Sequence, residues 1–201
     1  MTHRENLEWT QTWWEQSEKD DLPRVLLIGD SIVVGYRDAV QKNLQGKAYV
    51  DKFATSKFAK DPFFKKELEL YLNEYKYDCI HFNHGLHGRD FSINDYTESY
   101  EEILKMLTKV CDNVVLVLST PITKENDVKT LDVLNENVVK PRNEAVKDIA
   151  KKYNLAVDDL YTPMIDHYEY RVDDGYHYNE KGRTVQGKIV AEFIENTLKT
   201  K

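Results

Sequence analysis

Short apolar runs alternate along the chain with segments of helical periodicity. The predicted strands cover residues 25–28, 47–53, 77–82, 114–118 and 155–157, of which 25–28 and 114–118 are unbroken apolar runs, and the helical segments begin near residues 32, 62, 92, 137 and 180. Unbroken apolar runs are typical of strands that are buried on both faces of a parallel sheet. The alternation therefore predicts a three-layer α/β/α fold with a parallel five-stranded sheet, in one domain over residues 1–201. Right-handed crossovers favour a flavodoxin-like strand order, 2-1-3-4-5.

The chain before the first apolar run carries a tryptophan-rich segment. We predict a helix over residues 5–20, with Leu7, Trp9, Trp13 and Trp14 on one face. Such a helix would dock residues 1–22 onto the domain as an extension, because an aromatic stripe at helical spacing usually packs. The same tryptophans leave a homodimer open.

The region before the fourth predicted helix is polar. Residues 123–135 are interpreted as a loop or a short helix. Pro141 favours a helix start near Val139 or Lys140, since proline is tolerated in the first turn of a helix.

Composition narrows the class of protein. The 201 residues are 41% hydrophobic and 31% charged, which is typical of a soluble globular protein. A net charge of -7 argues against a nucleic-acid partner. Cys79 and Cys111 fall in or beside predicted strands and are interpreted as buried thiols. The sequence shows no signal peptide and no apolar run of membrane-spanning length, so we expect a cytoplasmic protein.

Ser31 occupies a distinctive position after the first predicted strand. Gly29, Asp30 and Ser31 follow the apolar run 25–28 directly, and helical periodicity begins at Ile32. Ligands of open α/β sheets bind at the carboxyl ends of the strands, and N–H groups at a helix start can hold an anion. Ser31 is therefore a candidate nucleophile, with a helix N-cap as the alternative.

A possible partner for Ser31 lies just before the last helix. A serine hydroxyl needs a base to become a useful nucleophile, and the usual base is a histidine that a carboxylate orients. Asp174 and His177 are three residues apart in the last loop. This spacing lets one turn present both side chains to a single site; the alternative is that they are ordinary turn residues.

These motifs together resemble the SGNH (GDSL-type) hydrolases. The resemblance runs from about Arg24 to Lys201 and rests on the Gly29-Asp30-Ser31 turn, a glycine-containing loop after the third strand, and Asp174-x-x-His177. It implies an α/β/α hydrolase in which Ser31 is the nucleophile, His177 the general base and acid, and Asp174 the residue that orients the imidazole. Such chemistry requires no cofactor.

Two of the family's motif blocks are altered here, and both concern the oxyanion hole. The second block normally offers a glycine N–H, and Ser56 is the best match in this chain. The third block is normally Gly-x-Asn, whereas this chain has Gly85-Leu86-His87, so His87 replaces the asparagine. The nearby Asn83 is the alternative donor. A donor to the oxyanion contributes on the order of 3 kcal/mol to catalysis, so these changes bear on activity.

The loop after the third strand has a second interpretation. His81, His84 and His87 are separated by two residues each, which raises a transition-metal site as an alternative. Side chains of His81 and His84 are expected on opposite faces if the strand includes His81. No cysteine or second carboxylate cluster has metal-ligand spacing, so the prediction is that no metal binds.

The expected activity is hydrolysis of small or carbohydrate-linked esters, such as O-acetyl groups. Arg89 is a candidate to meet an anionic group, and aromatic residues of the last loop are candidates to stack on sugar rings: Tyr161, His167, Tyr168, Tyr170, Tyr176 and Tyr178. Thioesters use the same machinery and stay open. The alternative is a non-catalytic ligand-binding module of the same fold with a degraded oxyanion hole.

Overall fold

The computed structural model describes residues 4–199 as a mixed α/β fold built on a six-stranded sheet. Its strands are β1 (Thr10–Trp13), β2 (Arg24–Gly29), β3 (Tyr49–Thr55), β4 (Cys79–Phe82), β5 (Val114–Val117) and β8 (Ala156–Asp158). A separate hairpin contains β6 (Thr123–Lys124) and β7 (Asp127–Leu131). The helices are α1 (Ser31–Asn43), α2 (Pro62–Glu74), α3 (Ile93–Val110), α4 (Val133–Tyr153) and α5 (Glu180–Lys199).

The strand order is β1-β3-β2-β4-β5-β8, so the sheet has one strand more than the predicted five. The β1–β3 pair is antiparallel and the other pairs are parallel. Ile28 of β2 lies beside Phe82 of β4. The loops that follow these two strands therefore meet at the same edge of the sheet.

Helices cover both faces of the sheet, because alternate residues of its strands enter different cores. Leu26 and Ile28 pack with residues of α2, α3 and α4. Val25 and Leu27 pack with residues of α1 and α5. All four side chains are fully buried, as the unbroken apolar run predicted. Cys79 and Cys111 are buried as well.

The predicted helix over residues 5–20 was wrong. Thr10–Trp13 instead forms an edge strand, because its threonine and tryptophan side chains favour extended backbone and β3 offers an edge to pair with. Trp14 stacks on Tyr71 with 4.7 Å between ring centroids, whereas the neighbouring Trp13 is 52% exposed. The N-terminal segment is thus held by strand pairing rather than by a helical aromatic stripe.

The start of α4 also differs from the prediction. The helix begins at Val133 rather than near Val139 or Lys140. Asp132 caps it by accepting two backbone N–H groups of the first turn. Pro141 lies inside the helix, where it removes one backbone hydrogen bond without ending it. The residues before Asp132 form the hairpin of β6 and β7, not a loop or short helix.

Within residues 4–199, no helix combines the length and the apolar character needed to cross a membrane.

Candidate active site

Ser31 lies on the turn between β2 and α1 as the first residue of the helix. Asp30, not Ser31, is the N-cap, and its carboxylate accepts the N–H of Ile32 at 2.9 Å. A Cβ atom on Gly29 would lie 2.2 Å from Val33 Cγ2, so the turn requires glycine there. Because the cap is supplied by Asp30, the Ser31 hydroxyl is left for another contact.

That contact is with His177. Ser31 Oγ lies 2.8 Å from His177 Nε2, and His177 Nδ1 lies 2.6 Å from Asp174 Oδ2. An ionised carboxylate can only accept, so Nδ1–H donates to Asp174 and the Ser31 hydroxyl donates to Nε2. The structure therefore joins the three side chains in one chain of hydrogen bonds, across 146 positions of sequence between Ser31 and His177.

The turn before α5 fixes this geometry. Asp174 Oδ1 accepts the backbone N–H groups of Tyr176 and His177, each at 2.8 Å. Gly175 has φ +78°, a conformation that favours glycine. Burial raises the Asp174 pKa, but the hydrogen bonds from His177 and Tyr176 outweigh it, so that the pKa is lowered overall. Asp174 is held ionised and in place to orient the imidazole.

Asp30 adds a buried carboxyl group beneath the turn. Its side chain is fully buried, and Oδ2 has no hydrogen-bond partner among residues 4–199. Burial raises the Asp30 pKa, while the charges of His87 and His177 and the N–H of Ile32 act to lower it. The Asp30 carboxyl group thus interacts electrostatically with both histidines near Ser31.

The loop after β4 brings Asn83, Gly85 and His87 to the same edge. The N–H of Asn83 donates to the Ile28 carbonyl at 2.9 Å. Asn83 is 2% exposed, and its Nδ2 has no partner within the described chain. A Cβ on Gly85 would lie 1.7 Å from Ser119 Oγ, so the loop packs against the segment that follows β5 only with glycine at this position.

Ser56 is committed to a different contact. Its N–H donates to the Trp9 carbonyl at 3.2 Å, and its Oγ accepts the N–H of Trp9 at 2.9 Å. Oγ also donates to Glu8 at 2.7 Å. The N–H that the sequence suggested for the oxyanion hole therefore anchors the N-terminal segment.

The three histidines of the third-strand region separate into three environments. His81 Nε2 lies 2.9 Å from Asp158, and His84 Nε2 accepts the N–H of Ala59 at 3.1 Å. His87 Nδ1 contacts Glu5 instead. Across the described residues 4–199, no group of three or more His, Cys, Asp or Glu side chains is arranged to hold a metal ion.

The aromatic residues of the last loop fall into two groups. Tyr178 is 2% exposed, Tyr161 donates to the buried Glu136 at 2.5 Å, and His167 stacks on Tyr170, so these rings pack the loop against the domain or against itself. Tyr168 is 49% exposed.

Tyr176 is the aromatic residue linked to the site. Its hydroxyl accepts from Arg89 at 2.7 Å and from Asn135 at 3.1 Å. Arg89 and Asn135 line a cavity of about 600 Å³. Other residues that line it are Arg4, Glu5, Asn6, Glu8, Ser56, Phe58, Gly88, Asp90, Phe91, Leu134 and Val138. The cavity therefore adjoins the turn that carries His177.

Arg142 also contacts the loop after β4, although the sequence did not predict it as a site residue. It is 2% exposed and donates to the carbonyls of Gly85, His87 and Gly88 at 2.9, 2.7 and 2.6 Å. The signal in the sequence was its spacing, three residues after Val139, on the apolar face of α4. A cation on such a face indicates a buried polar contact.

Known proteins resemble this chain in their three-dimensional structure but not detectably in their sequence. No protein-family model matches this chain, and no curated protein sequence matches it either. Solved structures do. A GDSL-like lipase from Bacteroides thetaiotaomicron is 14% identical with a TM-score of 0.68, over 86% of this chain and 88% of that one. The lipase/acylhydrolase from Enterococcus faecalis is 18% identical with a TM-score of 0.69, over 87% and 96%.

A third similar structure is Axe2, an acetylxylan esterase from Geobacillus stearothermophilus. It is 15% identical with a TM-score of 0.65, over 88% of this chain and 94% of that one. Identities this low define the fold. The chain therefore has the fold of the SGNH/GDSL hydrolases, as the motif resemblance implied.

Proposed function

We propose that this protein is a serine esterase that hydrolyses small or carbohydrate-linked esters, such as O-acetyl groups, through an acyl-enzyme on Ser31. The observation that carries the proposal is the hydrogen-bonded chain from Ser31 through His177 to Asp174, at 2.8 and 2.6 Å. Its donor directions match those of a nucleophile, a general base and an orienting carboxylate.

The reaction follows from these roles. Ser31 Oγ attacks the ester carbonyl while its proton passes to His177 Nε2. The tetrahedral oxyanion collapses, and His177 returns the proton to the departing alcohol. Water then attacks the acyl group with His177 as the base again, which releases the acid and restores Ser31. Asp174 stabilises the imidazolium in both halves of the reaction.

The oxyanion needs hydrogen-bond donors. The N–H groups in the first turn of a helix have no acceptor within the helix, so the Ser31 N–H is suited to this role. The neighbouring loop offers as side-chain donors the imidazole of His87 and the buried Nδ2 of Asn83, which has no partner among residues 4–199. Ser56 would first have to give up its bond to Trp9.

The cavity beside the site supports a polar substrate. Five of its thirteen lining residues are charged, of both signs, and the rings of Phe58 and Phe91 stack at 4.3 Å along it. Such a wall suits hydroxyl groups and sugar rings better than an acyl chain. That Axe2, of the same fold, is named an acetylxylan esterase supports the same substrate class.

The test is hydrolysis of p-nitrophenyl acetate and of a panel of acetylated sugars by wild type and Ser31→Ala. The proposal predicts turnover that Ser31→Ala lowers by about a thousandfold or more. Wild-type turnover no higher than that of Ser31→Ala would refute it. The second candidate, a binding module, is favoured by the commitment of Ser56 to Trp9; it predicts binding of acetylated sugars without hydrolysis.

A further inference from the structure

The N-terminal segment reaches the loop after β4 through Glu5. Both oxygens of the Glu5 carboxylate lie 3.0 Å from His87 Nδ1, and Oε1 also accepts the N–H of Gly88 at 3.3 Å. The two residues are 82 positions apart, and the His87 side chain is only 18% exposed. This contact is not part of the motif blocks on which the family resemblance rests.

Anchors on either side hold Glu5 in place. Arg4 forms an ion pair with the buried Asp61 at 2.8 Å. Glu8 accepts the Ser56 hydroxyl, and Trp9 pairs with Ser56 through its backbone. The segment from Arg4 to Trp9 is therefore fixed to the domain before β1 begins.

His87 is held from other directions too. Arg142 donates to its carbonyl at 2.7 Å, and the Trp9 ring meets the imidazole edge-on at 6.4 Å between centroids. Within residues 4–199, Nε2 of His87 has no hydrogen-bond partner. The ring is thus oriented at Nδ1, while Nε2 is available to a ligand.

The protonation state of the His87 imidazole determines whether Nε2 donates or accepts a hydrogen bond. Because the Glu5 carboxylate can only accept, Nδ1 carries a proton that is directed at Glu5. In a neutral imidazole Nε2 is then a bare acceptor, which would repel an oxyanion. Only the imidazolium form donates through both nitrogens.

The charges around His87 favour that form. Burial lowers its pKa, but the hydrogen bond with Glu5 and the charges of Asp30 and Glu8 outweigh burial, so that the pKa is raised overall. The opposing cations nearby are Arg142, which holds the His87 carbonyl, and Arg89 on the same loop. His84 lies close as well, with a pKa lowered by burial to about 3, so it is neutral.

We propose that Glu5 is a positioning residue that keeps His87 doubly protonated, so that His87 Nε2–H donates to the oxyanion formed at Ser31. This inference rests on the proposed esterase function. In this arrangement the cationic His87 takes the place of the family's neutral asparagine donor, and residues 4–9 become part of the site. Activity then requires a neutral His177 and a charged His87, and the loss of the His87 proton sets the alkaline limb of the pH profile.

The experiment is a double-mutant cycle of Glu5→Gln with His87→Asn, assayed with p-nitrophenyl acetate across pH. Asparagine restores a donor that needs no charge and no carboxylate partner. Glu144→Gln is the control, since the Glu144 side chain is 68% exposed on α4 and its ion pair among residues 4–199 is with Lys147. Circular dichroism confirms that each variant is folded, and NMR of 15N-labelled imidazoles reports the protonation of His87.

In the wild-type background, Glu5→Gln is expected to lower kcat about tenfold with KM within about twofold. It is also expected to shift the alkaline limb of the kcat–pH profile to a pH that is lower by about one unit. In the His87→Asn background the same change should alter kcat by less than about twofold, because the coupling is lost. The NMR spectra should show His87 doubly protonated at neutral pH in the wild type.

Three outcomes would overturn the inference. An unchanged alkaline limb in Glu5→Gln removes the role of Glu5. An equal loss of kcat in both backgrounds makes Glu5 merely structural. A His87 that is neutral at pH 7 in the wild type removes the cationic donor. Failure of the esterase proposal is distinct from these, because it shows as wild-type turnover that does not depend on Ser31.

Discussion

Arg142 offers a test of how the loop after β4 is held in place. Its guanidinium is buried and donates to three carbonyls of the same loop, those of Gly85, His87 and Gly88. It also lies 4.7 Å from the centroid of the Tyr96 ring. Arg142→Met keeps most of the aliphatic volume and removes every donor. The carbonyls then lose their partner, and the loop that carries His87 loses its main tether to α4.

The expected loss can be worked from these contacts. A hydrogen bond to a charged group contributes about 1.5 kcal/mol or more, so three of them contribute roughly 4 to 5 kcal/mol. These values are already net of the cost of taking the groups out of water, so the expected loss in the free energy of unfolding is about 4 to 5 kcal/mol. In a chain of this length, that lowers Tm by roughly 8 to 20 °C.

The assay is urea and thermal denaturation of Arg142→Met followed by circular dichroism, together with kcat for p-nitrophenyl acetate. We expect kcat to fall by at least about tenfold at a temperature where the variant is folded, because the loop is less ordered. Lys147→Met is the matched control, since Lys147 lies on the same helix with its side chain 49% exposed. The free energy of unfolding of Lys147→Met should differ from that of the wild type by no more than about 0.5 kcal/mol. A loss below about 1 kcal/mol in Arg142→Met would show that these three hydrogen bonds do not hold the loop in place.

Other predictions address single residues near the site. Burial lowers the pKa of His84 to about 3, so neutral His84 contributes stability that is complete above about pH 6.5 and lost toward pH 3, at up to about 1.4 kcal/mol per pH unit. His84→Gln should remove this pH dependence, which is measured as the difference between the midpoints of urea denaturation at about pH 7.5 and pH 5. Gly85→Ala places a Cβ 1.7 Å from Ser119 Oγ and should cost about 2 kcal/mol in urea denaturation. Asp174→Asn should lower kcat about a thousandfold with the fold intact, and His87→Ala about a hundredfold; unchanged turnover in His87→Ala would assign the oxyanion donor to Asn83.

The sequence was most informative where one residue's surroundings are set locally. The apolar run 25–28 predicted a strand buried on both faces, and Val25 to Ile28 are fully buried. Gly29, Asp30 and Ser31 predicted a strand-to-helix turn because their chemistry is that of a tight turn and a helix start.

Elements that depend on distant partners were harder to predict. Residues 10–13 have an ambiguous local pattern, and the edge of β3 decides in favour of a strand. Pro141 suggested a helix start, but the cap at Asp132 begins α4 earlier and the helix tolerates one missing hydrogen bond. Local periodicity carries no information on either long-range pairing or competing caps.

In the site, too, some residues could be predicted from local sequence and others depend on distant partners. The order of Ser31, Asp174 and His177 in the chain was enough to suggest that they meet, and the hydrogen bonds among them are present. Glu5 was missed because a single glutamate in a polar segment has no distinctive local pattern. Arg142 was missed because its place on the apolar face of α4 indicates burial but does not identify the groups that it contacts. Their contacts with His87 arise only in the folded chain.

Reaction with a fluorophosphonate shows directly whether Ser31 is an activated nucleophile. Intact-mass and peptide mass spectrometry locate the adduct after brief labelling of the native protein. We expect one adduct per chain, on the peptide that contains Ser31, and we expect this adduct to be lost in His177→Ala and after denaturation. A native protein that takes up no label, or that takes it up elsewhere and equally well without His177, would contradict the account.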